Sequence, residues 1–280
     1  MRVLVTGACG FVGKNVTDAL YRAGHDVIEF DKVKHEAFDL DKPMGLRYML
    51  SASDAVIHLA ANADVRGGWS DPKRDLKANL LATANLLEAM RVAECRRLVF
   101  ASSGSVYGPT LTPTPESRAC HPSSLYGASK LAAEGLISAY AAAGHLSATV
   151  FRFVSMLGPG YKHGHVVDFR EKLEKDPTRL EILGTGAAKS YVDVSDVVDA
   201  IMLRLDADPG FEVLNCGTDT AIPVSQSAEW ICDELGVSPE MVVGAKSWVG
   251  DDTILLDCTR LRSLGWAPKF SIRDAIARTL

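Results

Sequence analysis

The stretch Val3-Leu4-Val5-Thr6-Gly7-Ala8-Cys9-Gly10-Phe11-Val12-Gly13 decides how this chain is read. Its opening apolar run, bounded by glycine, predicts a buried strand. From Phe11 to Arg22 the apolar residues Phe11, Val12, Val16, Ala19 and Leu20 recur at helical spacing. Gly7, Gly10 and Gly13 stand between strand and helix with the spacing G-x-x-G-x-x-G. Three different tasks call for glycine in such a turn. One residue adopts a positive φ, one lets the backbone approach a pyrophosphate, and one lets the helix pack against the strand. The helix N-terminus offers unpaired N–H groups and the positive end of a dipole, so it suits an anion. The spacing is not the commoner G-x-G-x-x-G. What gives the triplet weight is its place after the first strand and before the first helix.

Working outward, Asp26–Phe30 predicts a second strand, and Asp31 closes it. A carboxylate at that point accepts hydrogen bonds from ribose hydroxyls and repels a 2′-phosphate. The expected cofactor is therefore NAD rather than NADP, with Lys32 and Lys34 weighing the other way. Strands are predicted again at Ala55–Leu59, Leu98–Ser102 and Ala148–Val154, and helices at Pro72–Val92 and Leu125–Ala143. This alternation implies parallel pairing with right-handed crossovers, and hence an α/β, Rossmann-type doubly wound parallel sheet.

Beyond Phe153 the texture changes. Gly158-Pro159-Gly160 and His163-Gly164-His165 mark loops. A helix is predicted at Val167–Glu174, a strand at Leu180–Leu183 and an amphipathic helix at Val194–Leu205 that returns to the sheet. Val213–Cys216, a helix at Val224–Leu235 and a C-terminal helix from Ile272 complete the chain. The predicted organisation is a NAD-binding Rossmann domain, 1–155 plus 191–216, and a smaller α/β substrate lobe. That lobe is discontinuous, 156–190 plus 217–280.

A chain of 280 residues with 47% hydrophobic content buries a core without metals or disulfides. Its net charge of −5 argues against a nucleic-acid partner. The six cysteines contain no C-x-x-C pair, which fits free thiols in a reducing compartment. Met1 and Arg2 run straight into the first strand, and no apolar run approaches the roughly 20 residues of a membrane span. The expectation is a cytoplasmic protein with no membrane partner. His163-x-His165 lacks neighbouring carboxylate or cysteine ligands, so no metal is expected. Trp69 and Trp248 suit either packing or stacking on a base or sugar.

Tyr126 and Lys130 stand four residues apart on a predicted helix and so share a face. A cationic neighbour favours a phenolate, which can take a hydroxyl proton as hydride leaves the same carbon. The strand at Leu98 ends in Ser102-Ser103-Gly104-Ser105-Val106-Tyr107-Gly108. Hydroxyls at the carboxyl end of a parallel strand face the crevice where ligands bind.

Taken in order, these motifs resemble one family. They are Thr6-Gly7-x-x-Gly10-x-x-Gly13, Asp31, His58-Leu59-Ala60-Ala61, Asn79, Ser102 to Gly108 and Tyr126-x-x-x-Lys130. Gly158-Pro159, Ile182 to Gly186, Tyr191 to Asp196 and Leu264-Gly265-Trp266-x-Pro268 continue the series. The chain is similar to the extended short-chain dehydrogenase/reductases, most closely to the UDP-glucose 4-epimerase-like branch of the NAD-dependent epimerase/dehydratases. The resemblance implies Tyr126 as base, Lys130 as its partner and Ser103 as hydroxyl relay. It implies a NAD site lined by Gly7, Gly10, Phe11, Val12, Asp31, Asp39, Leu40, Leu59, Ala60, Ala61, Asn79, Tyr126 and Lys130. Gly13 of the same turn and Ser102 of the same strand end are assigned with them. The substrate side is assigned to Ser103, Ser105, Tyr126, Ser155, Lys189 and Lys246. Family dehydratases carry acidic residues just after the catalytic hydroxyl. Here those positions are Gly104 and Ser105, which favours epimerisation or simple redox chemistry over elimination. Ser155 replaces the family's usual asparagine, and Lys189 and Lys246 stand where arginines clamp a diphosphate, without arginine's bidentate fork. The expected function is C4 epimerisation of a nucleotide-sugar, a UDP-sugar being favoured, by transient oxidation and hydride return. The alternatives are an NAD(P)-dependent 4-keto reductase or dehydrogenase and a non-catalytic NAD sensor. Pairing of Pro72–Val92 and Leu125–Ala143 with their copies implies a homodimer.

Overall fold

The computed structural model describes residues 1–34, 39–40, 43–64, 67–110, 112–183, 188–244 and 253–280. Its centre is a six-stranded sheet. In chain order the strands are β1 (Arg2–Thr6), β2 (Asp26–Phe30), β3 (Ala55–His58), β4 (Arg97–Ser103), β5 (Ser147–Phe153) and, after four short strands described below, β10 (Phe211–Cys216). Their spatial order is β10-β5-β4-β3-β1-β2. Every pair from β2 across to β5 is parallel. Val3, Leu4 and Val5 are fully buried, so β1 has no polar face. Each such side chain contributes roughly 1.5–3 kcal/mol by leaving water. That all-round burial is the mark of a strand covered by helices on both faces.

The helices around this sheet are α1 (Phe11–Arg22), α2 (Pro43–Leu50), α3 (Pro72–Asp75), α4 (Ala82–Ala93) and α5 (Leu125–Ala142). The sequence predicts one helix across Pro72–Val92. The structure instead inserts a π-helical stretch, Leu76–Leu81, between α3 and α4. Such π insertions concentrate at functional sites, and this one carries Asn79. Leu86, Leu87 and Met90 of α4 join Phe100, Ile137 and Val150 in one apolar core.

The chain forms two compact units. The first comprises Met1–Gly108, Glu116–Phe153 and Val198–Asn215; the second comprises Pro109–Pro115, Val154–Val197 and Cys216–Leu280. The second contains β6 (Ser155–Leu157), β7 (Arg179–Leu183), β8 (Ala188–Lys189), β9 (Tyr191–Asp193), β11 (Ile222–Pro223) and β12 (Glu240–Gly244). Its helices are α6 (His165–Lys175), α8 (Val224–Leu235), α9 (Thr259–Ser263) and α10 (Ile272–Ala277), and α7 (Val194–Arg204) begins in it. Residues 109–115, 154–155, 191–197 and 216, which the sequence boundaries give to the Rossmann domain, cluster here. Segment 109–115 does so because Thr110 and Thr114 donate backbone N–H groups to Thr253 and Leu255. Segment 191–197 does so because β9 pairs with β6 and Asp196 accepts from the Lys269 N–H and, through its carbonyl, from Trp266 Nε1. No helix among the described residues is long and apolar enough to cross a membrane.

Candidate active site

Strand order reverses at β1: β2 lies on one side of it and β3, β4 and β5 on the other. In open α/β sheets ligands bind at such a switch point, outside the carboxyl ends of the strands. The glycine turn, Leu59-Ala60-Ala61 and Ser103 all stand at those ends.

Gly7 leaves β1 with φ +70°, and its N–H donates to the Phe30 carbonyl. A Cβ there would lie 2.7 Å from the Ala60 nitrogen. Gly13 is buried in the first turn of α1; a Cβ on it would collide with the Gly7 carbonyl oxygen and come within 2.8 Å of Ala8 Cα. These two glycines therefore let turn, helix and β3 exit pack together. Gly10 is different. It is the N-cap of α1, is exposed, and has no side chain capping the helix. No acidic residue occupies the first turn, so no carboxylate of α1 itself competes with an anion for its amides. Phe11 and Val12 are half-buried on that same turn. Asp31 follows β2 and accepts from the Cys9 and Val33 N–H groups, both at 2.9 Å. The carboxylate is thereby tied to the glycine turn, with lone pairs left for diol recognition. Asp39 is half-buried, and Leu40 is buried with its carbonyl accepting from Asn85 Nδ2. This donor set fits a dinucleotide with unphosphorylated ribose.

A buried polar chain stands behind the turn. Thr83 Oγ1 donates to the Asn79 carbonyl, so its other contact, His58 Nε2 at 3.0 Å, is the donor to it. His58 Nδ1 then accepts from Thr6 Oγ1 at 2.6 Å, and Thr6 Oγ1 accepts from the Ala60 N–H. Burial pushes the His58 ring down to about 3, with the Lys130 charge adding to it. The imidazole is a neutral spacer. Asn79 is buried too. Its Nδ2 donates to Ser129 Oγ and to the Asn62 carbonyl, and its Oδ1 accepts from the Asn62 N–H.

Ser103 ends β4 and caps the short 3₁₀ turn Gly104–Tyr107, accepting from the Ser105 N–H. The Ser105 hydroxyl donates to Ser103 Oγ at 2.9 Å. Tyr126 opens α5, whose N-cap Ser124 accepts from the Gly127 N–H. The Tyr126 phenol lies near enough to Ser103 to feel its hydroxyl. Gly127 makes this approach feasible: a Cβ there would lie 2.7 Å from the Ser105 carbonyl oxygen. The adjacent glycine was the visible signal for that close packing. Burial drives the Tyr126 phenol up to about 12; the Ser103 hydroxyl pulls it down, and the Asp75 charge pushes it up. Lys130, assigned from the sequence as the cation that lowers this phenol, is not among the groups that shift it. Its Nζ donates to the Ala101 carbonyl at 2.8 Å and lies over the Phe100 ring. Burial lowers the ammonium to about 8, against the opposing pull of Glu134. Ser102 is also redirected: its hydroxyl donates to the buried Glu134 carboxylate.

In the second unit, Ser155 is exposed at the start of β6, and Lys189 is half-buried in β8, paired with Ile222. Lys246 and Trp248 lie outside the described residues. Trp69 is exposed. His163 stacks on Tyr161, while His165 is buried between Ser227 and Tyr191. The described residues contain no cluster of metal-ligating side chains.

The chain that places this glycine turn, Asp31 and the Ser103–Tyr126 pair at the strand ends is matched from residue 3 to residue 217 by the model of the NAD dependent epimerase/dehydratase family. The chain belongs to that family. This epimerase/dehydratase is 32% identical to the UDP-glucose 4-epimerase of Mycolicibacterium smegmatis, over 100% of this chain and 97% of that one. It is 30% identical to the GDP-6-deoxy-D-mannose reductase of Pseudomonas aeruginosa, over 100% and 96%. The UDP-glucose 4-epimerase of Thermus thermophilus, solved in complex with NAD, superposes with a TM-score of 0.89 at 29% identity, covering 100% of this chain and 97% of that one. The enzyme is thus NAD-dependent and of the epimerase/dehydratase type. NAD, when bound, would supply a hydride acceptor and a positive charge.

Proposed function

We propose that this enzyme is a nucleotide-sugar 4-epimerase acting on UDP-sugars. The carrying observation is the Ser103–Tyr126 pair with Gly104 and Ser105 beside it. A hydroxyl and a phenol exchange one proton with a substrate alcohol. A carboxyl at 104 or 105, which would remove a proton next to a ketone, is lacking. Tyr126 takes the 4-hydroxyl proton as the C4 hydride leaves, while Ser103 holds the oxygen. Hydride return to the opposite face of the 4-keto sugar, with the proton given back by Tyr126, inverts C4. Gly7, Gly10 and Asp31 hold the cofactor; Ser155 is assigned to the nucleotide-sugar, and Lys189 and Lys246 to its diphosphate. The UDP-glucose 4-epimerase names among the relatives support the choice of sugar nucleotide.

The test is incubation with UDP-glucose and UDP-galactose, then with GDP-, CDP- and dTDP-sugars, followed by proton NMR. Inversion at C4 without net NADH is the expected result. Net NADH accumulation would make the enzyme a dehydrogenase, and net NADH consumption on a 4-keto sugar a reductase. No turnover with NAD bound would favour a sensor. Tyr126→Phe abolishes turnover and retains NAD. Exposed Leu76, Leu81 and Val92 along Pro72–Ala93 support a homodimer through these helices. Light scattering of Leu76→Lys/Leu81→Lys should then report a monomer.

A further inference from the structure

Beneath the reacting groups lies an ion pair that the proposed chemistry does not use. Glu134 is on α5, one helical turn beyond Lys130, and is 4% exposed; Arg152 is on β5 and 6% exposed. Arg152 Nη2 and Nε donate to the two Glu134 carboxylate oxygens at 2.7 and 3.1 Å. The Ser102 hydroxyl donates to Glu134 Oε1. Arg152 Nη1 donates to the Tyr107 hydroxyl at 2.8 Å, and that hydroxyl donates to Asn215 Oδ1 at 2.9 Å. The clamp therefore grips three places. Ser102 is the residue before Ser103. Tyr107 ends the turn that Ser103 caps. Glu134 sits on the helix that carries Tyr126 and Lys130.

A buried ion pair is weak evidence for stability, because desolvation offsets its attraction. A hydrophobic pair fills such space at no loss. What the pair supplies here is direction and charge. We propose that Glu134–Arg152 is a positioning device: it locks the end of β4 to α5 so that Ser103 meets Tyr126, and it fixes a carboxylate one helical turn from Lys130. This rests on Ser103, Tyr126 and Lys130 being the reacting set.

The charged and titratable groups around Lys130 are Glu134 on its own helix, His58 on β3 and Arg152 on β5; Tyr107 and Glu116 lie on the far side of Arg152. His58 is neutral, and Arg152 is held charged by Glu134. Glu134 is the one carboxylate among these that raises Lys130.

The decisive measurement titrates Lys130 in the intact enzyme, by NMR of ¹³C-dimethylated lysines assigned with Lys130→Met. Wild type titrates near pH 8, and Glu134→Gln titrates about one unit lower. In turnover, Glu134→Gln lowers kcat roughly a hundredfold through misplacement and moves the alkaline limb to lower pH. KM changes little, and Glu134→Asp partly restores kcat. Where the single variant unfolds, Glu134→Leu/Arg152→Leu retains the fold and shows the same two effects. A native Lys130 titration in either folded variant overturns the inference. So does a native kcat with a native alkaline limb. The NMR arm needs no substrate, so it fails independently of the epimerase reading.

Discussion

Replacing each glycine of the first turn by alanine separates the packing of this turn from its binding of a dinucleotide. At Gly7, alanine must hold φ +70°, which costs roughly 1–2 kcal/mol. Its Cβ would also press on the Ala60 backbone at 2.7 and 2.9 Å, adding about 1–3 kcal/mol of overpacking. The total, about 2–5 kcal/mol, is a large share of a stability typically of about 5–15 kcal/mol. Gly7→Ala should lower the urea midpoint sharply. Gly10 has an ordinary φ of −71°, and the nearest atom to a Cβ there is the Gly7 carbonyl oxygen at 3.1 Å. As an N-cap exchange, Gly10→Ala costs a few tenths of a kcal/mol to about 1. The same Cβ, however, stands on the side of the turn where the proposed pyrophosphate would meet the α1 amides. Crowding of about 1–3 kcal/mol there corresponds to roughly 5- to 150-fold weaker NAD binding. Urea unfolding and titration calorimetry with NAD on nucleotide-stripped protein read the two quantities separately. Native NAD affinity in Gly10→Ala would refute the assignment of this turn to the pyrophosphate.

Asp31→Ser removes the ribose-directed carboxylate and its bonds to Cys9 and Val33; NAD should bind more weakly while NADP gains, and an unchanged ratio of the two affinities would count against the diol role. His58 has a folded value of about 3 against 6.5 unfolded, so between those values the unfolded chain binds more protons. Stability from this group is complete above pH 6.5 and is lost as pH falls towards 3, about 2 kcal/mol between pH 6.5 and 5. Urea midpoints of His58→Gln should fall less over that range; an identical decline would place the proton uptake elsewhere. Lys189→Ala should raise KM for a UDP-sugar and leave kcat near wild type, since a point charge on phosphate binds ground and transition states alike; an equal loss in kcat would move Lys189 into the chemical step.

The elements with strong local signals were legible in the sequence. Asp26–Phe30 and Leu125 to Ala142 form as their periodicity and flanking residues predict. Helix α2 escaped because Gly45 and Pro43 interrupt a short apolar run. Strand β12 escaped because its register is set by β7, 61 residues earlier, rather than by local pattern. The π stretch at Leu76–Leu81 is invisible to a 3.6-residue period. In the site, Ser103 and Tyr126 were legible by motif. Glu134 and Arg152 were not, because their meeting depends on β4, α5 and β5 assembling first. The single sequence trace of that pair is a charge, Arg152, inside a strand that is otherwise uncharged and wholly buried.

That missing layer changes how the motif residues act. Asn79 and Ser102 were assigned to the cofactor, yet the structure commits their side chains inward. Asn79 uses both amide hydrogens on Asn62 and Ser129 and its oxygen on Asn62. Ser129 in turn donates to the Tyr126 carbonyl. Asn79 thus joins the π stretch to the first turn of α5, and Ser102 joins β4 to the same helix through Glu134. Buried groups with all their bonds made specify one arrangement, because any slip leaves a polar atom unpaired at about 1–3 kcal/mol. A free phenol near pKa 12 is a poor base at neutral pH, so its usefulness depends on where it is held when a positive charge arrives. The inward-turned residues provide that holding. Their substitution should therefore lower kcat more than it weakens NAD binding, the opposite of what direct cofactor ligands would show.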